Sequence, residues 1–89
     1  MTCRITVTCK EVKGTCAAGH KAGDTATFDG INMEGKICIH ALASMFAKVF
    51  AMHQGVNFAW LDDPNVASHV CPDAQNPVTY EIRREQEGV

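Results

Sequence analysis

The sequence predicts a small α+β domain, a largely antiparallel sheet of about three strands packed on one long apolar helix, in the chain order β-β-α-β. Three observations predict it. Residues 3–9 alternate apolar and polar, residues 36–54 carry apolar side chains at helical period, and residues 78–83 alternate again. With 89 residues, and no internal repeat, linker or low-complexity run, the chain reads as a single domain over 1–89. A domain this short buries only about 60–65% of its unfolded surface, so its core is thin.

Along the first strand Cys3, Ile5, Val7 and Cys9 share one face, while Arg4, Thr6 and Thr8 share the other. Both cysteines then read as small inward hydrophobes without a chemical role. A glycine-punctuated loop runs from Gly14 to Asp24, and Thr25 to Phe28 form a second strand ended by the turn Asp29-Gly30. On the helix, Cys38, Leu42, Met45, Val49 and Met52 fall within about 40° of one direction and define the core stripe. Ile39, Ala43, Phe46 and Phe50 make a second apolar flank. One small sheet cannot readily cover both flanks. The second is therefore expected to meet another subunit, making a homo-oligomer, or to lie under residues 55–77. That segment is aperiodic, with Phe58 and Trp60 as anchors and a short helical turn expected at 62–68 after Asp62-Asp63-Pro64. Val78, Tyr80 and Ile82 point inward from the closing strand, and the tail beyond residue 85 is polar.

Ten acidic against eight basic residues leave a net charge of −2 without a Lys/Arg cluster, so neither nucleic acid nor an anionic membrane is an expected partner. The longest apolar stretch, near residues 37–52, is interrupted by His40, Ser44 and Lys48 and falls short of a membrane span. The start of the chain lacks the pattern of a secretory leader. Five cysteines are an odd number and too few for a disulfide scaffold. A cytoplasmic protein with reduced thiols is expected.

Three cysteines sit between elements: Cys16 in the glycine-rich loop, Cys38 at the helix start and Cys71 in a Pro-Asp turn. His20 follows Cys16 within the same loop, and a loop can fold back over that distance. Cys16, His20, Cys38 and Cys71 can thus supply a tetrahedral Cys3His set for zinc or an iron–sulfur cluster. No C-x2-C knuckle occurs, so the spacing alone does not specify such a site. Asp24 either orients the His20 ring as a supporting carboxylate or caps the turn into the second strand. Asp73, beside Cys71, is the other candidate supporting carboxylate. The same residues allow metal-free catalysis, with Cys38 as a thiolate nucleophile favoured by the helix N-terminus and His20 as its base. A third reading is an oligomeric interaction domain with inert thiols. His40 is expected at the surface or a subunit contact, His53 at the last helical carbonyls, and His69 in a solvated loop.

A C-x2-G-H-x2-G-D loop over residues 16–24, Cys38 opening the helix and the Cys71-Pro72-Asp73 turn resemble a family of small, uncharacterised bacterial and archaeal proteins frequent in anaerobes. The resemblance covers nearly the whole chain and implies no established reaction. Its shared positions are Cys16, Gly19, His20, Gly23, Asp24, Cys38, Cys71, Pro72 and Asp73. Relatives typically carry proline after the first cysteine, where this chain has Ala17.

Overall fold

In the computed structural model, residues 3–15 and 19–86 are described. They form β1 (Cys3–Val12), β2 (Thr25–Phe28), β3 (Met33–Gly35), α1 (Ile39–His53), β4 (Val66–Val70) and β5 (Val78–Gln86). The five strands make one antiparallel sheet in the order β3-β2-β1-β5-β4, with α1 packed on one face. The expected arrangement of about three strands on one long helix is therefore corrected: five strands carry a helix of 15 residues.

The added strands are short and lie at the two edges. β3 is Met-Glu-Gly, too brief to display an alternation, and is defined by pairing with Ala26, Thr27 and Phe28. β4 occupies part of the segment expected as a helical turn. The Asp62-Asp63-Pro64 signal does make a turn, in which the Val66 amide donates to the Asp63 carbonyl at 3.0 Å, but Val66–Val70 then pair with β5. Only Ala67 of β4 is buried, so an apolar period is scarcely visible there.

The helix starts three residues later than its apolar pattern suggests. Lys36 still belongs to the sheet region through its amide on the Thr25 carbonyl at 3.1 Å, and Cys38 is extended at φ −66°, ψ 135°. The other end closes with Gly55 at φ +95°, a region open to glycine at little steric cost. There the Gly55 and Val56 amides return to the Met52 and Ala51 carbonyls at 3.1 and 3.0 Å, a Schellman closure. His53 does not serve these carbonyls as expected; its Nδ1 donates to the Cys3 carbonyl at 2.7 Å. Arg84 of β5 donates to the Met52 carbonyl at 3.1 Å instead.

The core lies between α1 and the inward rows of the sheet. Ala41, Met45, Val49 and Met52 pack with Ile5, Val7 and Cys9 of β1, Val78, Tyr80 and Ile82 of β5, and Phe28 and Ala67 from their neighbours. Cys3 and Cys9 are buried in this layer, and neither forms a disulfide. The opposite sheet face carries Thr6, Thr8, Thr27, Thr79 and Glu81, which tolerate water and need no cover. No described helix is long and apolar enough to cross a membrane.

Candidate thiol and imidazole site

The site begins with the loop between β1 and β2. One of its ends is fixed by Asn76, whose Oδ1 accepts the Thr15 amide at 3.0 Å. The other end runs beneath the start of α1. There the His20 ring is buried, standing edge-on to Tyr80 at 5.7 Å between centroids. His20 Nε2 accepts the Cys38 amide at 2.9 Å. An N–H can only donate, so Nε2 offers its lone pair and the ring proton sits on Nδ1. Nδ1 faces Asp24 Oδ2 at 3.4 Å, too long for a full hydrogen bond, which leaves a buried nitrogen incompletely satisfied.

Asp24 caps the turn, accepting the Lys21 amide at 3.1 Å, and its carboxylate stands 3.4 Å from the imidazole without a hydrogen bond to it. The Lys21 amide foremost, with the Lys36 ammonium 3.5 Å away, holds its carboxyl below the usual carboxylate range. Lys36 also donates to the Gly19 carbonyl at 2.8 Å, pinning the loop a second time beside His20. Neither Lys36 nor Asn76 carries a sequence signal for this role, because each reaches its partner across the fold.

Cys38 caps α1 with its backbone and offers no side-chain cap. Its half-buried sulfur lies 3.9 Å from Nδ1 of His40, a residue read from sequence as a surface or subunit-contact position. Cys71 is also half-buried. Its Sγ accepts the Val78 amide at 3.3 Å inside its own turn, while its amide donates to the Val78 carbonyl at 2.9 Å. Asp73 shapes that turn, with Oδ1 accepting the Gln75 and Asn76 amides at 3.0 and 3.2 Å. Cys16 lies outside the described residues. Among the described ones, His20, Cys38 and Cys71 do not converge, with each other or with other Cys, His, Asp or Glu side chains, into a group of three or more suited to a metal ion.

A second polar pair follows along the helix. His69 Nε2 and Ser44 Oγ are 2.8 Å apart, and Ser44 donates its single proton to the Ala41 carbonyl, also at 2.8 Å. His69 is consequently the donor to Ser44, which is the reverse of what an activated serine nucleophile requires. This pair fastens β4 to α1. Comparison with family models, curated proteins and solved structures finds no match.

Proposed function

We propose that the chain is a small cytoplasmic domain holding a thiophilic metal ion, zinc or iron, or an iron–sulfur centre on the thiolates of Cys16, Cys38 and Cys71. His20 is the residue that positions the helix head beside them. The observation supporting this reading is the double tether of the loop that carries Cys16. Thr15, on its near side, is bound to Asn76 of the Cys71 turn, and His20, on its far side, is bound to the amide of Cys38. Three soft sulfur donors suit zinc or iron and leave a fourth position for another group. Ligation by His20 Nε2 would use the lone pair that now holds the Cys38 amide, so its role here is to position. Reduced thiols fit a reducing compartment. The motifs that carry the family resemblance are the same ones that carry these thiols.

Elemental analysis and an absorption spectrum of untagged protein purified without oxygen test the proposal. The expected result is about one zinc, or iron with a visible sulfur-to-iron band, per chain. Serine at position 16, 38 or 71 should lower that stoichiometry by roughly tenfold, whereas His20→Ala should keep the metal and lose stability. Metal-free protein, or cysteine variants that bind like the parent, would overturn it.

The 3.9 Å approach of Cys38 Sγ to His40 Nδ1 favours one other reading, a reactive thiol at the helix head with His40, rather than His20, as its base. Cys38 should then alkylate about tenfold faster than Cys71 near neutral pH and slow in His40→Ala. Equal rates for the two thiols would dismiss it.

A further inference from the structure

A half-open cleft of about 600 Å³ lies at the tail of α1, the opposite end of the helix from Cys38, and its volume falls within the range of small-molecule sites. Its walls are polar. They are His53 and Gln54 from the end of α1, Asn57 and Asn65 from the segment that leads to β4, and Arg84 from β5. Most small-molecule sites are lined mainly by apolar side chains, so a lining of this kind selects a compact, strongly polar ligand.

The donors of the cleft follow from what Arg84 can do. Its Nη2 donates to the side chain of Asn57 at 2.6 Å, and its Nε donates to that of Asn65 at 3.0 Å. A guanidinium only donates, so each asparagine turns its oxygen to Arg84 and keeps its NH2 group for something else. Neither NH2 group meets an acceptor among the described residues. Charge points the same way. The remaining acceptors of Arg84 are the Met52, Val56 and Pro64 carbonyls, all neutral, and no carboxylate pairs with it among the described residues. The carbonyl end of α1 offsets about half an elementary charge, and the rest is unopposed. Asp63, close by in sequence, spends Oδ1 on the Asn65 amide at 2.9 Å and does not line the cleft.

We propose that this cleft binds the oxyanion group of a small organic acid or phosphate ester. The NH2 groups of Asn57 and Asn65 donate to its oxygens, with that of Gln54 at the rim, and Arg84 supplies the attracting charge. Arg84 spends its own N–H groups on the protein, so it orients the two asparagines and does not grip the ligand itself. A neutral ligand would leave the guanidinium charge unopposed, and a cation would be repelled by it. The cleft shares no residue with the thiol centre, so either reading can fail without the other.

Nuclear magnetic resonance of the isotope-labelled full chain, titrated at constant ionic strength with phosphate, acetate or chloride, tests the proposal. Phosphate or acetate should shift the side-chain NH2 signals of Asn57 and Asn65 and the Arg84 Nε–H signal saturably, with half-saturation at about 1 mM for so small a probe, and chloride should not. A response to phosphate alone assigns a phosphate ester, and a response to acetate alone assigns a carboxylate. Asn57→Asp and Asn65→Asp each keep an oxygen for Arg84 while replacing the free NH2 group by a second oxygen and cancelling the guanidinium charge. Each should weaken binding by at least about tenfold with Arg84 still anchored. No saturable shift with either oxyanion, equal shifts with chloride, or variants that bind like the parent would overturn the proposal. Where a variant fails to fold, the three salts on the parent chain decide the case.

Discussion

A neutral imidazole has one lone pair, and where that lone pair points decides what the residue does. In His20 it accepts the backbone of Cys38, and the protonated nitrogen faces Asp24. The C-x2-G-H-x2-G-D pattern identified His20 and Asp24 as special, but its spacing could not indicate the acceptor role, because the partner is an amide 18 residues away. His40 was hidden for a similar reason, since helical phase places it off the core stripe without saying what lies beside Cys38. His69 gives a prediction at this scale. Burial first, and then the charge of Lys48, lowers its pKa below the ordinary 6.5. The unfolded chain thus takes up the proton before the folded one does, so stability is lost as pH falls below about 6.5 and is unaffected above it. Urea unfolding at pH 7.5 and 5 should show a larger loss for the parent than for His69→Gln. Equal losses in the two proteins would mean that the Ser44–His69 pair does not sense pH.

At the scale of elements, one arginine joins three segments that sequence periodicity treats separately. Arg84 follows the inward row Val78, Tyr80, Ile82 and so reaches the end of α1. Its guanidinium donates to the Met52 and Val56 carbonyls at 3.1 and 2.9 Å, to Asn57 Oδ1 at 2.6 Å, to the Pro64 carbonyl at 3.1 Å and to Asn65 Oδ1 at 3.0 Å. The positive fork also meets the negative end of the helix dipole. Arg84→Ala should cost about 2–3 kcal/mol in urea unfolding. Arg84→Lys should recover less than half of this, because a single ammonium cannot reach five acceptors. A loss within about 0.5 kcal/mol would show that solvent replaces these bonds. The same scale explains the missed strands. β3 and β4 are edge segments held by one neighbour each, and their composition is dominated by what they do not bury.

For the whole molecule, the sheet has one face in the core and one polar face in water, while α1 has one face in the core and one apolar face in water. The proposed thiol centre depends on the loops at the helix head, so it is independent of that apolar face.

What local periodicity determined was the inward row of β1, the inward row of β5, the extent of β2 and, in the stripe expected on α1, the burial of Met45, Val49 and Met52, because apolar spacing at two or 3.6 residues reports which side chains leave water; Cys38 and Leu42 of that stripe are only half-buried, and Ala41 is buried instead. Tertiary structure alone decided the partner of His20, the reach of Arg84, the pairing of the two edge strands and the exposure of Phe46 and Phe50. Each of these depends on atoms brought together from distant parts of the chain, and no spacing within a single segment encodes such a meeting.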